Sequence, residues 1–144
     1  MPFIDRQEEG NSTPEFREEI TEFEQIIRSI NMSQVTTINM IGKSIGGLVL
    51  LCYLYKNYQE LKNYKVKITL LGYLLEFTKL DPTKPLVIDI IQGSNDKYGS
   101  IENVKKVIRG CSNITLKVIE NGDHSYRDNN KNPVYQDLAI ELLN

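Results

Sequence analysis

The sequence lacks the residue patterns that mark several common classes of protein. Its 144 residues contain two cysteines and one histidine, which are too few for a disulfide framework or for a zinc site of the usual Cys and His ligands. No apolar run reaches the roughly 18 residues that a membrane-spanning helix needs. The formal net charge of −2 at pH 7 leaves no basic stripe for a nucleic-acid backbone. We therefore expect no metal, no cofactor, no nucleic-acid partner and no membrane association.

The first ten residues, MPFIDRQEEG, are acidic and contain no hydrophobic segment of the kind found in secretory signals. The expected compartment is therefore the cytoplasm, where Cys52 and Cys111 would remain reduced thiols. A length of 144 residues with 40% hydrophobic residues suits a globular protein with a real core, and we expect residues 1–144 to form a single domain.

Helical and strand-like segments alternate along the chain. Apolar residues at helical spacing predict helices over residues 14–30, from Ser44 into the apolar segment that follows, over 100–108 and over 133–143. Short β-branched or apolar runs predict strands over residues 35–41, 66–71, 86–91 and 115–119. Candidate helix caps are Thr13, Ser100 and, just past a helix end, Gly110. This alternation predicts an α/β fold, a three-layer sandwich with a mostly parallel sheet.

The segment Gly42-Lys43-Ser44-Ile45-Gly46 matches G-x-S-x-G, the nucleophile elbow. An apolar strand precedes it and a helix follows, so Ser44 would lie on a tight strand-to-helix turn. Gly42 and Gly46 would remove side chains that would otherwise collide with the strand and the helix, and the next glycine would ease the packing further. The serine oxygen would then lie near a helix N-terminus, where the backbone N–H of Ile45 would be one oxyanion donor.

The acid and the base of such a site must follow Ser44 in the order acid, then histidine. Asp96 comes shortly after the strand predicted at 86–91, and His124 comes shortly after the strand predicted at 115–119. Catalytic groups of parallel sheets gather at the carboxyl ends of the strands, where both loops would lie. We therefore predict that Ser44, Asp96 and His124 form a catalytic triad.

Two other aspartates are weaker candidates for the acid. Asp89 lies in the middle of a predicted strand, and Asp123 is adjacent to His124 in sequence and would point elsewhere. Each site residue also has a plainer interpretation, because a glycine-rich strand-to-helix turn can contain an incidental serine, an aspartate after Gly-Ser-Asn is common in turns and a lone loop histidine is usually a surface residue. The order serine, aspartate, histidine, each directly after a strand, favours the catalytic interpretation.

The segments INMIGKSIGGLVL, LLGYLLEF, DIIQGSNDKYG and VIENGDHSY resemble the blocks of small, lidless α/β hydrolases of the dienelactone-hydrolase-like and KANL3/Tex30-like kind. The resemblance covers the chain from about Glu15 to its end. It implies that Ser44 is the nucleophile, that Asp96 orients the histidine and that His124 is the base. LGY is followed by LLE here, where KANL3/Tex30-like relatives usually have a proline and a histidine, so no substrate preference is carried over.

The resemblance is to the later half of the α/β-hydrolase fold. Residues 1–41 supply mainly one helix before the elbow, so the first strands of the full fold are expected to be absent. The loop that normally provides the second oxyanion donor would be absent with them, which would lower turnover by roughly a hundredfold or more. A sheet without those strands would expose an edge through which two copies could form a homo-oligomer.

The sequence therefore predicts a serine hydrolase acting on a small ester or related acyl substrate. His124 would take the proton of Ser44 during its attack on the carbonyl carbon, Asp96 would hold the imidazole, and water would then hydrolyse the acyl-enzyme. Three aromatic residues could line a small apolar pocket or pack in the core: Tyr73, Phe77 and Tyr98. Packing is the preferred interpretation.

Two alternatives from other classes remain open. The segment TINMIGKS differs from the P-loop pattern G-x-x-x-x-G-K-[ST] only at its first glycine. In that case Lys43 would contact phosphates and Ser44 would bind magnesium, although the β-branched and apolar residues before Gly42 argue against a phosphate-binding loop. The other alternative is a hydrolase-like module that binds partners without catalysis.

Overall fold

The computed structural model describes residues 16–75 and 80–135. In these residues helices α1 to α4 span Arg17–Ser29, Ile45–Lys56, Tyr58–Leu61 and Ile101–Val107. Strands β1 to β4 span Thr37–Lys43, Lys65–Leu71, Ile88–Gly93 and Ile114–Ile119. Every strand that the sequence predicts is present, and no strand end is shifted by more than two residues.

The strands of the described residues form one parallel sheet in the order β1-β2-β3-β4. Strand β1 pairs with β2 up to Lys43 opposite Leu71, and β3 pairs with β4 up to Gly93 opposite Ile119. All the carboxyl ends therefore meet at one edge of the sheet. The α/β fold with a parallel sheet flanked by helices, as expected from the sequence, is confirmed.

Apolar side chains pack against both faces of the sheet, because successive residues of a strand point to opposite faces. On one face β1, β2 and β3 pack against α2 and α4, and α1 packs against α2. The most deeply buried apolar residues of this cluster are Leu51, Leu54, Ile68, Ile88, Ile90 and Val104. The cluster on the other face is smaller, with Leu71, Ile91, Ile119 and Tyr126. Complete burial of a leucine such as Leu54 stabilises the fold by about 1.5–3 kcal/mol.

Helix α4 begins and ends where its capping residues predict. The Ser100 hydroxyl oxygen accepts a hydrogen bond from the backbone N–H of Asn103 at 3.4 Å. Gly110, just past the helix end, has a φ of 83°, a left-handed conformation that glycine adopts without steric cost.

The long helix predicted after the elbow is divided in the structure. Helix α2 ends at Lys56 and α3 begins at Tyr58. At the break, the backbone N–H and the side-chain amide of Asn57 both donate to the carbonyl oxygen of Tyr53, each at 3.0 Å. Asparagine competes in this way for backbone hydrogen bonds, which accounts for the break between α2 and α3.

The predicted ends of two other helices differ from the structure. Helix α1 follows Phe16, whose backbone is left-handed with a φ of 55° and which provides no side-chain cap, and Thr13 lies outside the described residues. The helix expected from Pro133 does not begin there, because Pro133 forms an isolated β-bridge with Arg127. Residues 136–143 lie outside the described residues.

Two simpler expectations concern the thiols and the membrane. Cys52 and Cys111 are both free, and partial burial raises the pKa of the Cys52 thiol. Among residues 16–75 and 80–135, no helix combines the length and the apolar character that crossing a bilayer requires.

Candidate active site

Ser44 occupies the turn between β1 and α2. Its φ of 52° and ψ of −123° are strained for a residue other than glycine, and its N–H donates to the carbonyl oxygen of Leu71 at 2.8 Å. A Cβ atom on Gly42 would lie 2.5 Å from the Cα atom of Gly47, so this position admits only glycine. The close approach of strand and helix places Ser44 at the carboxyl edge of the sheet.

His124 connects Ser44 to Asp96 through two hydrogen bonds. Its Nε2 lies 2.9 Å from Ser44 Oγ, and its Nδ1 lies 2.8 Å from Asp96 Oδ2. Because an ionised carboxylate can only accept, Asp96 selects the tautomer with the proton on Nδ1, and Nε2 is free to accept from the serine hydroxyl. The loops after β1, β3 and β4 thus bring together the three residues predicted from the sequence.

The carboxylate of Asp96 is buried among hydrogen-bond donors. Its side chain is 0% exposed, whereas that of His124 is 20% exposed. Oδ1 accepts from the backbone N–H of Tyr98 at 2.9 Å, and Oδ2 accepts from the side-chain amide of Gln92 at 3.0 Å. Hydrogen bonds to both oxygens fix the carboxylate in one orientation, from which it can orient the imidazole.

Comparison with protein families covers nearly the whole chain. A family model described as an alpha/beta hydrolase domain matches residues 2–143. The chain belongs to the α/β-hydrolase family. Comparison with curated proteins finds no match. Membership in the family supports a hydrolase-like function, and it agrees with the parallel sheet and with a serine at the strand-to-helix turn.

In this hydrolase domain the glycines of the strand-to-helix turn do not all have the steric roles that the sequence predicts. A Cβ atom on Gly46 would meet no described atom within 4 Å, so the steric role predicted for Gly46 is wrong. Gly47 has that role, because its Cβ atom would lie 3.2 Å from the carbonyl oxygen of Gly42. Ile45 is the first residue of α2, so its N–H belongs to the first turn, whose N–H groups have no acceptor within the helix.

Two glycines outside the motif shape the surroundings of His124. Gly72, which follows β2, has a φ of 64°, and a Cβ atom there would lie 2.8 Å from His124 Cε1. A Cβ atom on Gly93, at the end of β3, would collide with the carbonyl oxygen of Gly122. Both glycines lie in segments that resemble α/β hydrolases, LLGYLLEF and DIIQGSNDKYG, although the sequence alone predicts no role for either.

The loop that carries His124 is organised by Asp123. Its Oδ1 accepts from the backbone N–H of Ser125 at 2.8 Å and from that of Arg127 at 3.0 Å. These hydrogen bonds, chiefly the one from Arg127, lower the pKa of Asp123 below its ordinary value. Asp123 therefore holds the loop in shape, while Asp96 is the aspartate that bonds to the imidazole.

The predicted aromatic residues have separate locations. Tyr73 is 2% exposed within the core, where burial raises its pKa to about 12, and it also borders the small cavity beside Ser44, so it both packs in the core and lines a cavity. Tyr98 is 47% exposed, and its ring meets the ring of His124 edge-on with the centroids 4.8 Å apart. Phe77 lies outside the described residues.

The register of β1 excludes the P-loop alternative. Residues from Thr37 to Lys43 pair continuously with β2, so they form a strand where a phosphate-binding loop would be needed. The ammonium group of Lys43 lies 5.9 Å from the centre of the Tyr126 ring. Asp89 accepts from the Thr115 hydroxyl. Across the described ranges no three His, Cys, Asp or Glu side chains are grouped so that they could hold a metal ion.

A groove of about 340 Å³ lies at the other end of the sheet and is bounded by Glu24, Arg28 and Tyr64 among others. The cavity beside Ser44 and Gly72 has only about 10 Å³. Size alone would favour the groove, but its lining includes no serine or histidine. The hydrogen bonds that join Ser44, His124 and Asp96 therefore identify the smaller cavity as the candidate active site.

Proposed function

We propose that this chain is a serine hydrolase that cleaves a small ester or a related acyl substrate. The observation that carries the proposal is the pair of hydrogen bonds from Ser44 Oγ through His124 to Asp96. The resemblance of the segments around these residues to small, lidless, dienelactone-hydrolase-like enzymes supports the proposal.

The first half-reaction forms an acyl-enzyme. Ser44 Oγ attacks the acyl carbon, and His124 Nε2 accepts the hydroxyl proton as the new C–O bond forms. Asp96 stabilises the imidazolium through the hydrogen bond from Nδ1–H. The imidazolium then gives its proton to the leaving alkoxide, so that an alcohol departs and the acyl group remains on the serine.

The second half-reaction releases the acid. A water molecule gives a proton to His124 and attacks the acyl carbon, and the imidazolium returns that proton to Ser44 Oγ as the ester bond breaks. In both halves negative charge develops on the carbonyl oxygen. The N–H of Ile45 at the start of α2 is the donor that we assign to this oxygen, since a helix N-terminus favours negative charge.

Labelling with a fluorophosphonate probe tests the proposal directly, because the probe reacts with serines that a neighbouring base activates. We expect the folded protein to be labelled, and we expect heat-denatured protein and Ser44→Ala to remain unlabelled. Ser125→Ala is the matched control, since Ser125 is an exposed serine next to His124 and its loss should leave labelling unchanged.

If labelling occurs, fresh protein that has not met the probe would be screened with p-nitrophenyl esters of increasing acyl length to define the acyl group. If the wild-type protein is folded, as judged by circular dichroism, and still unlabelled, the serine-hydrolase proposal is wrong. The alternative of a hydrolase-like module that binds partners without catalysis would then be favoured.

A further inference from the structure

The side-chain amide of Gln92 lies buried next to the Asp96 carboxylate. Gln92 is the penultimate residue of β3 and is 0% exposed. A glutamine at such a position would destabilise the core unless its polar atoms were hydrogen-bonded, because desolvating an unpaired amide costs about 1–3 kcal/mol. The partners of this amide therefore indicate why a glutamine stands at the end of an apolar strand.

Each polar atom of the Gln92 amide has a defined partner. Oε1 accepts from the backbone N–H of Tyr73 at 2.7 Å, which fixes which end of the amide is the oxygen. Nε2 donates its two hydrogens to the carbonyl oxygen of Gly99 at 2.8 Å and to Asp96 Oδ2 at 3.0 Å. The carbonyl oxygen of Tyr73, at 3.4 Å from Nε2, is the weakest of these acceptors.

The surrounding backbone is fitted closely to this amide. A Cβ atom on Gly99 would lie 2.9 Å from Gln92 Nε2 and 2.5 Å from the carbonyl oxygen of Tyr73. The amide thus joins the loop after β2, at Tyr73, to two positions of the loop between β3 and α4, at Asp96 and Gly99. Because these contacts surround Gln92, its Nε2–H bond to Asp96 has little freedom to change direction.

We infer that Gln92 is a positioning residue for the proposed reaction, and this inference rests on the proposed function. Its amide directs Asp96 Oδ2 toward His124, and it does so with a donor that carries no charge. The same oxygen accepts from Gln92 and from His124, so a rotation of the carboxylate would also move the imidazole relative to Ser44.

The absence of charge on the donor has its own consequence. An ionisable group in its place would add to the charges that act on the imidazolium. Burial is the largest cause that raises the pKa of the Tyr126 hydroxyl above its ordinary value, and the charge of Asp96 adds to it. The Gln92 amide bonds to Asp96 without adding a further charge beside His124.

Gln92→Met removes the hydrogen bonds and keeps the approximate volume of the side chain. We expect the second-order rate constant for fluorophosphonate labelling of Ser44 to fall by on the order of 10- to 100-fold, as for other losses of hydrogen bonds that orient a catalytic group. Ile90→Val is the matched control, because Ile90 is also 0% exposed on β3 and lies on the core face beside α2 and α4. It should lower thermal stability without lowering the labelling rate of the folded protein.

Gln92→Glu tests the requirement for an uncharged donor. A protonated glutamic acid can still donate to Asp96 Oδ2, whereas an ionised one cannot donate and repels the Asp96 carboxylate. The labelling rate of Gln92→Glu relative to the wild-type rate should therefore fall as the pH rises. A purely structural role would lower the rate by the same factor at every pH, and that result would overturn the requirement for an uncharged donor.

Nuclear magnetic resonance of His124 separates this inference from the proposed function. His124 is the only histidine in the chain, so its imidazole signals need no assignment. In Gln92→Met we expect the Nδ1–H resonance, which reports the bond to Asp96, to shift or disappear, while Ile90→Val keeps it. A labelled wild-type protein whose Gln92→Met variant has the same rate and the same resonance would overturn the inference alone. Unlabelled wild-type protein would overturn the proposed function, with the resonance still reporting whether Gln92 positions Asp96.

Discussion

Gly72 lies directly against the ring of His124, so that a Cβ atom on Gly72 would be 2.8 Å from His124 Cε1 and 3.0 Å from Nδ1. We expect Gly72→Ala to displace the imidazole and to lower the labelling rate of Ser44 by on the order of 100-fold, the effect of a misplacement of about 1 Å. The substitution also strains a backbone with a φ of 64°, which costs about 1–2 kcal/mol.

The backbone strain can be separated from the contact with His124. Gly110 also has a positive φ, of 83°, and a Cβ atom there would meet no described atom within 4 Å. Gly110→Ala should therefore lower the thermal unfolding temperature by a similar amount while the labelling rate stays at the wild-type value. If both variants lost labelling equally, destabilisation would explain the loss and the steric account of Gly72 would be wrong.

Asp96→Asn should lower the labelling rate by about 10⁴-fold with little change in the fold. The amide group would donate to Nδ1 and so favour the imidazole tautomer with its proton on Nε2, which cannot accept from Ser44. Asp89→Asn is the control, because Asp89 lies on β3, the strand that precedes the Asp96 loop, and bonds to Thr115 rather than to His124. Comparable rates for wild type and Asp96→Asn would exclude Asp96 as the acid.

The two glycines of the motif should respond differently to substitution. Gly42→Ala places a Cβ atom 2.5 Å from the Cα atom of Gly47, and we expect a loss of stability of about 1–3 kcal/mol together with loss of labelling. Gly46→Ala fills open space in the first turn of α2 and should be neutral or stabilise by up to about 1 kcal/mol, because alanine favours the helix. Chemical denaturation of the two variants measures both effects. Equal destabilisation would show that Gly46 also faces a close neighbour.

Acid should weaken the loop that carries His124. The pKa of Asp123 is lowered in the folded protein, so the unfolded chain binds a proton first as the pH falls. The stabilisation from this group is complete above the ordinary aspartate pKa, near 4, and is lost as the pH falls through the lowered folded value. Asp123→Ala should therefore show a shallower fall in unfolding temperature between about pH 5 and pH 2 than the wild-type protein.

Asp81 provides the comparison for Asp123, since hydrogen bonds from Thr83 lower the pKa of Asp81 as well. Asp81→Ala should likewise show a shallower fall in unfolding temperature at acid pH, and it should keep the wild-type labelling rate at pH 7. Asp123→Ala should lose labelling several-fold at that pH, because its loop positions His124. Unfolding temperatures that decline identically in acid for all three proteins would contradict the stabilising role of both carboxylates.

The fold could be predicted closely because its signals are local. Ser100 and Gly110 mark the ends of α4 by capping chemistry, and the β-branched runs mark the strands to within two residues. The break at Asn57 could not be predicted, since it depends on whether the amide bonds to its own backbone. Pro133 was wrongly placed at a helix start for a similar reason, because the bridge to Arg127 is a contact between segments.

In the candidate site the sequence identifies the reacting groups better than the groups that hold them. Ser44, Asp96 and His124 follow from a motif and from the order of residues after strands. Gln92 and Gly72 could not be predicted in the same way, because their importance arises from contacts with Asp96 and His124 that exist only after the loops have met. The rotation of α2 about its axis likewise decides that Gly47, and not Gly46, packs against Gly42. The sequence Gly-Lys-Ser-Ile-Gly-Gly does not specify that rotation.

The bond between His124 and Ser44 spans 80 positions of the chain, and this separation has a consequence for biosynthesis. Parallel strands pair only through crossover connections, so the sheet assembles from distant segments. A chain made from its N-terminus exposes Ser44 long before the segment of β4 emerges from the ribosome. In the proposed mechanism the serine hydroxyl has no base until β4 joins β3 and brings the imidazole beside it. The proposed reactivity of Ser44 therefore begins only when β4 has paired with the sheet.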